Sequence, residues 1–99
     1  MKINEIKNGN ELTLALAGEL DLTGAPALTA FAEGKLEGIN ALTLDMSGIT
    51  YLSSAGIRAV LGLERDLNGK GFKIIGCNEL VYEVFEITGL NEVFDIQKA

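Results

Sequence analysis

The chain has no histidine and no tryptophan, and only one cysteine and one proline among its 99 residues. Without histidine, and with Cys77 as the only thiol, one chain cannot assemble the ligand sets that usually hold zinc. A single cysteine also excludes an internal disulfide. Cys77 ends the apolar run F-K-I-I-G-C, which is typical of a small core residue rather than a reactive thiol. We therefore expect neither a metal nor another cofactor.

Basic residues are scarce, since eight Lys and Arg stand against 14 Asp and Glu, for a net charge of −6. Binding to nucleic acid or to an anionic membrane surface needs clustered Lys and Arg that neutralise phosphates. The opening M-K-I-N-E-I-K lacks the apolar stretch of a signal peptide, and no apolar run has the length of a membrane span. We expect a cytoplasmic protein with no nucleic-acid partner and no membrane insertion.

The residues that are present favour a folded α/β protein. Apolar residues make up 47% of the chain, enough to bury a core, and 99 residues suit one domain, which we expect to span 1–99. Apolar spacing predicts the order β-β-α-β-α-β-α-β, hence a mixed, mostly parallel sheet covered by three or more helices. The predicted strands are 2–7, 11–18, 39–46, 72–77 and 92–96, and the predicted helices run from Thr23 to Gly38, from the serine pair to 69–71, and from Asn78 to Gly89.

Local signals sharpen three of these predictions. Strand 39–46 is more uniformly apolar than the others, which suits a central strand with both faces covered. Thr23 is expected to cap the first helix, and residues 47–52 read as a connection. The expected buried faces are Leu28, Phe31, Ala32 and Leu36 on the first helix and Ile57, Val60, Leu61 and Leu67 on the second.

Two adjacent serines, Ser53 and Ser54, stand where the connection turns into the second helix. Serine at a strand-to-helix turn suggests the hydrolase motif G-x-S-x-G, but position 52 is leucine. A serine nucleophile also needs a base, and the chain offers neither histidine nor an S-x-x-K spacing. No G-x-x-x-x-G-K-[ST] phosphate loop occurs either. We therefore expect that the protein is not an enzyme.

Other polar residues allow a functional and a structural interpretation. Asp21 and Asp45 lie near predicted strand ends, where paired carboxylates can perform acid–base chemistry, although aspartates there more often form caps and turns. A serine at a helix start commonly caps the helix. The same position also tolerates a phosphate, because the first backbone N–H groups and the helix dipole favour negative charge.

Three stretches resemble the STAS domain family, named for sulfate transporters and anti-sigma factor antagonists. L-D-M-S-G-I-T-Y-L-S-S-A-G-I-R-A-V (44–60) resembles the family signature, in which Asp-Ser-Ser-Gly leads into a helix. G-E-L-D-L-T-G-A-P (18–26) and I-T-G-L-N-E-V-F (87–94) resemble its first strand-to-helix junction and its C-terminal helix end. Together the three matches span most of the chain, in the family's order.

The resemblance to the antagonists implies partner switching. In that group, the unmodified domain binds an anti-sigma factor that is a serine kinase, the kinase phosphorylates a helix-start serine, and a serine phosphatase restores it. The implied acceptor is Ser54, with Gly56 at the family glycine. Ser53 stands at the family aspartate and is a competing acceptor, and Ala55 replaces the second serine.

The same resemblance implies further partner-binding residues. Asp21 matches a family aspartate in a loop, shared with Thr23, that lies near the phosphorylation site and contacts the partner; the alternative is that Asp21 caps the turn at Thr23. Arg58 either meets an acidic partner residue or belongs to a solvated helix face. The alternative function is that of a STAS subunit of a lipid or solute transporter, which docks on its ATPase without phosphorylation.

Overall fold

The computed structural model describes residues 1–68 and 70–99. Its order of strands and helices is the predicted one, with a short 3₁₀ helix, Leu90–Glu92, added before the last strand. The helices are α1 (Gly24–Ala32), α2 (Ser54–Leu67) and α3 (Glu79–Thr88). The strands are β1 (Lys2–Asn8), β2 (Glu11–Leu20), β3 (Ala41–Leu52), β4 (Gly71–Cys77) and β5 (Asp95–Lys98).

The sheet is mixed and mostly parallel, as predicted, with the spatial order β1-β2-β3-β4-β5. β1 and β2 form the antiparallel hairpin, whose turn contains Gly9 at φ +64°, and β2 to β5 are parallel. Each helix connects two neighbouring parallel strands, and every crossover advances in the same direction across the sheet. Because such crossovers are right-handed, all three helices lie on one face.

The core lies between that face and the helices. Alternate strand residues point into it, and the helices contribute Leu28, Val60, Leu63, Val81 and Phe85, all buried. On the opposite face Thr43 is only half-buried and Lys73 is exposed. The expectation that strand 39–46 is covered on both faces is therefore wrong, although β3 does occupy the centre of the sheet.

The segment 47–52, interpreted from sequence as a connection, continues β3. β2 also extends two residues beyond its predicted end, and the two strand ends pair with each other through two register shifts. Ile49 and Leu52 are buried along this extension. The irregular register obscures the alternation that would have marked the segment as a strand.

Helix α1 ends at Ala32, earlier than the predicted Gly38, because Glu33 is extended and Gly34 adopts φ +78°. Leu36 therefore packs on the core from outside the helix. In α2, Leu63 is buried where Leu61 was predicted to be. The last strand starts at Asp95, after the 3₁₀ helix, rather than at residue 92.

Three local predictions are confirmed. The Asn78 side chain accepts a hydrogen bond from the Val81 amide (2.8 Å) and caps α3, and Gly89 ends that helix at φ +77°. Cys77 is buried, and burial raises the pKa of its thiol from 9.0 to about 11.

Within the described ranges, no helix has both the length and the apolar character needed to cross a bilayer.

Candidate functional site at two helix starts

The register of β2 and β3 brings the two predicted loops side by side. Leu20 pairs with Leu52 at the ends of these parallel strands, so the chain leaves both strands at one edge of the sheet. The Ser53 amide donates a hydrogen bond to the Leu20 carbonyl oxygen (3.0 Å). The start of α1, with Asp21 and Thr23, therefore lies next to the start of α2.

Ser53 is the N-cap of α2 and is held from two sides. Its hydroxyl accepts a hydrogen bond from the Gly56 amide (3.4 Å) and donates one to the Leu20 carbonyl oxygen (3.1 Å). The side chain is half-buried. These bonds satisfy one of the first amides of the helix and tie α2 to the end of β2.

Ser54 differs from its neighbour in both respects. It is the first residue of α2, and it is exposed. No hydrogen bond of its hydroxyl occurs within residues 1–68 and 70–99. Ser54 is thus accessible to another molecule, whereas Ser53 serves as the cap of α2.

Asp21 caps the start of α1. Its Oδ1 accepts hydrogen bonds from the Gly24 amide (2.8 Å) and the Thr23 amide (3.0 Å). These two bonds, with that of Gly24 the larger cause, lower the pKa of the Asp21 carboxyl from 3.8. Thr23 stands at the predicted cap position, but its side chain makes no capping bond. The prediction that the Thr23 side chain caps α1 is therefore wrong. The Asp21 carboxylate, two residues earlier, accepts the capping hydrogen bonds instead.

Gly56 packs the first turn of α2 against the strands. A Cβ at this position would lie 2.5 Å from the Leu20 carbonyl oxygen and 2.7 Å from Cδ1 of Leu52. Real side chains do not approach so closely, so this close approach requires glycine. The structure therefore shows tight packing of helix on sheet at Gly56.

Arg58 and Ala55 line a groove of about 1060 Å³ between α1 and α2. Arg58 is exposed, and it makes no salt bridge within the part of the chain that the structure describes. The lining of the groove combines small and apolar residues, such as Ala25 and Ala59, with charged residues, such as Glu37 and Asp66. It opens beside the start of α2 and therefore adjoins Ser54.

Asp45 takes no part in this site. It pairs with Ala15 in the middle of the sheet, about 20 Å along β2 from Asp21. Its Oδ1 accepts a hydrogen bond from the Ser47 amide (3.0 Å), where the strand register shifts. The structural interpretation of both aspartates is confirmed, because each serves backbone amides and the two do not meet.

A family model described as "Mlab, STAS domain" matches residues 3–97. The chain belongs to the STAS domain family. The anti-sigma factor antagonists of this family are regulatory binding proteins rather than enzymes.

Relatives of this STAS domain share its length as well as its fold. The anti-sigma-B factor antagonist of Bacillus subtilis is 29% identical over 97% of this chain and 92% of its own. An anti-sigma factor antagonist from Mycobacterium paratuberculosis superposes with a TM-score of 0.88 at 21% identity, over 99% and 86% of the two chains. The Bacillus cell fate determinant SpoIIAA, in its phosphorylated form, gives 0.73 at 17% identity, over 96% and 90%.

Two exposed apolar residues within the stretches 18–26 and 44–60 were not predicted from the sequence to belong to the site. Leu22 is 79% exposed and lines the groove, and Tyr51 is 48% exposed one position before the end of β3. The sequence signal for Leu22 is its place in a loop, between Asp21 and Thr23, where a large apolar side chain is unusual. The groove had no comparable signal, because it depends on how far apart α1 and α2 lie.

Proposed function

We propose that this STAS domain is an anti-sigma factor antagonist that binds a serine-kinase anti-sigma factor while Ser54 is unmodified. Phosphorylation of Ser54 by that kinase ends binding, and a serine phosphatase restores it. The observation that carries the proposal is the contrast between the serines: Ser54 is exposed at the helix start, while Ser53 is held by two hydrogen bonds. The proposal places the protein in the cytoplasm with the sigma factor.

Exposure makes Ser54 a suitable substrate. A kinase must reach the acceptor hydroxyl and supplies the catalytic base and ATP itself, so the domain needs no base of its own. Phosphorylating Ser53 would instead break the contacts of its hydroxyl with Leu20 and Gly56. This difference favours Ser54 over its neighbour as the acceptor.

The folded domain can accommodate a phosphate on Ser54. The group adds about −1.5 to −2 charges at the N-terminus of α2, where the helix dipole favours negative charge. Arg58 is exposed four residues later, on the same side of the helix, and can face the phosphate. We therefore expect phosphorylation to change the surface and to leave the fold intact.

The surrounding surface provides contacts that a phosphate would disturb. Leu22 and Tyr51 supply exposed apolar area, and Ala55 and Arg58 border the groove. A partner that packs on the apolar area and places an acidic group at Arg58 loses that pairing and meets a new dianion when Ser54 is phosphorylated. Asp21, Thr23 and Ser53 complete the proposed partner-binding surface, and the buried Gly56 serves it by packing α2 against the end of β2.

The relatives support the same proposal. The Bacillus subtilis protein is named an anti-sigma-B factor antagonist, and SpoIIAA, an anti-sigma factor antagonist, has been observed in phosphorylated and unphosphorylated forms. The present chain covers nearly all of each of these proteins, so its site lies within a domain of the same extent.

The test begins by capturing the partner from the native cell with the Ser54→Ala variant, which should retain binding. The purified kinase and ATP should then add one phosphate to the wild-type chain, located by mass spectrometry on the Ser54 peptide. Ser53→Ala is the matched control and should still accept the phosphate. Ser54→Asp should weaken binding.

Two results would overturn the proposal. If the captured kinase phosphorylated neither Ser53 nor Ser54, phosphorylation could not control partner binding. Capture of a transporter ATPase and permease, with binding unaffected by Ser54→Asp, would instead establish the transporter subunit as the function.

A further inference from the structure

The groove between α1 and α2 follows both helices along most of their length. Its lining extends from Leu22 and Ala55, where both helices start, to Glu37 and Asp66 at the other end. Ala55 and Asp66 both belong to α2 and lie eleven residues apart, which is about 16 Å along a helix axis. The groove therefore has the length of about three helical turns.

Small residues line both walls of the groove. On α2 they are Ala55, Ala59 and Gly62, whose spacings of four and three residues place them in one row. On α1, Ala25 and Thr29 stand four residues apart. Such short side chains allow the backbone of another molecule to approach the two helices closely.

Gly62 is not needed for the packing of the domain itself. A Cβ at this position would meet no atom closer than Nη2 of Arg65, at 3.9 Å, whereas a Cβ at Gly56 would collide with β2 and β3. Glycine inside a helix destabilises it relative to alanine. The missing side chain at residue 62 therefore benefits a molecule that enters the groove rather than the folded chain.

Charge divides the groove along its length. Arg58 lies in the half next to the helix starts, while Glu33, Glu37, Arg65 and Asp66 lie at the other end. Three carboxylates and one guanidinium give that end a net charge of −2. None of the five residues forms a salt bridge in the described ranges. An occupant can therefore pair with both ends.

The pattern selects among occupants. Arg58 and Asp66 are eight residues apart, so a matching molecule needs an acidic group and a basic group about 12 Å from each other. A fatty acid, with one head group, would leave one end of the groove unmatched. A second copy of the chain does not supply the pair from α1, which has no charged residue, or from α3, whose charged residues are all glutamates. A helix of about three turns on a partner can hold both groups on one face.

We propose that the α1–α2 groove binds an amphipathic helix of the partner protein. Small apolar side chains of that helix pack over Ala59 and Gly62. A carboxylate at one end pairs with Arg58, and Lys or Arg at the other end lies beside Glu33 and Glu37. The inference rests on the proposed function for the identity of the partner, which is the anti-sigma factor.

The probe is a synthetic peptide of about 16 residues, with Ala and Leu on one helical face, Glu in its first turn and Lys in its last turn. Two control peptides carry Lys in both end turns or Glu in both. Two-dimensional ¹⁵N–¹H NMR of the full chain should show peptide-dependent shifts along the facing sides of α1 and α2. The Glu/Lys peptide should bind at least about threefold more tightly than either control.

Exchanging the charge of Arg58 tests the pairing directly. Arg58→Glu should weaken binding of the Glu/Lys peptide and strengthen that of the Lys/Lys peptide, each by at least about threefold. Lys73→Glu makes the same change of charge on the opposite face of the sheet and should leave the order of the peptides unchanged. Because the peptides are the same throughout, their helix content cannot explain a reversal.

Filling the groove tests the position of the helix. Gly62→Leu should weaken binding of the Glu/Lys peptide, and of the captured anti-sigma factor, by at least about tenfold. Glu64→Leu adds the same side chain two residues later, outside the lining of the groove, and should leave both affinities within about twofold. Circular dichroism should show unchanged helix content in both variants.

Three results would overturn the proposal. They are equal affinities of Gly62→Leu and wild type, NMR shifts that lie outside the groove, and an unchanged order of the peptides in Arg58→Glu. The peptide measurements need neither a kinase nor ATP, so such a result would leave the proposed phosphorylation of Ser54 standing. Conversely, a failure to phosphorylate Ser54 would leave the peptide bound in the groove.

Discussion

The starts of α1 and α2 solve one structural problem with different chemistry. Both helices begin at the same edge of the sheet, and each has a buried glycine in its first turn, Gly24 or Gly56. A Cβ on either glycine would collide with a carbonyl oxygen of β2, that of Glu19 or Leu20. The caps differ, because a carboxylate caps α1 while a neutral hydroxyl caps α2.

The difference matters for what each helix start can do. Asp21 already places a negative charge against the first amides of α1. The start of α2 has no acidic residue in its first turn and carries the exposed hydroxyl of Ser54. Of these two helix starts, only that of α2 therefore combines an exposed hydroxyl that can accept a phosphate with a first turn that lacks a negative charge.

The largest effects are expected from the glycines that the two starts share. Gly24→Ala and Gly56→Ala should each lower the free energy of unfolding by about 1–3 kcal/mol, because the added methyl group meets backbone oxygen. Gly62→Ala is the matched control within α2, where the nearest atom would be 3.9 Å away. Chemical denaturation should show Gly62→Ala as stable as wild type or more so, by up to about 1 kcal/mol. A neutral Gly56→Ala would contradict the packing described for α2.

An intermediate effect should separate the two serines. Ser53→Ala removes the cap of α2 and should cost about 0.5–2 kcal/mol. Ser54→Ala removes an exposed hydroxyl and should change stability by less than about 0.5 kcal/mol. Thermal denaturation of both variants tests this difference in stability. Equal destabilisation by Ser53→Ala and Ser54→Ala would contradict it.

The smallest effect should depend on pH and should appear only at α1. The pKa of Asp21 is lower in the folded chain than the ordinary 3.8, so its charge stabilises the fold above that pH. The stabilisation is lost as pH falls through the lowered folded-state pKa. Asp21→Asn keeps an accepting oxygen without the charge, so wild type should be the more stable at pH 7 and the two should converge in strong acid. A constant difference across pH would show that charge is not the cause.

Much of the fold was predictable because its signals are local. Alternation identified the strands, and Asn78 and Gly89 marked the ends of α3 correctly. The early end of α1 and the extension of β3 were missed because Gly34 and the register shifts interrupt the periodic pattern. Helices cover only one face of the sheet because all three crossovers advance in the same direction. The sequence of a single strand or helix does not contain that information.

The candidate site was predictable in its residues but not in their division of labour. The S-S-A-G sequence located the start of α2, yet only the contact of Ser53 with Leu20, 33 residues away in sequence, shows which serine is held. Similarly, the D-L-T sequence suggested a cap at Thr23, whereas the folded loop uses the Asp21 carboxylate. The groove depends on how α1 and α2 lie side by side, which sequence periodicity does not specify.

The most direct test installs phosphoserine at residue 54 and compares its affinity for the captured anti-sigma factor with that of the unmodified chain, by titration calorimetry. We predict binding at least about tenfold weaker for the phosphorylated chain, at an unchanged or higher melting temperature. Equal affinities would contradict the proposed switch. A large fall in melting temperature would contradict the claim that the start of α2 accommodates the phosphate.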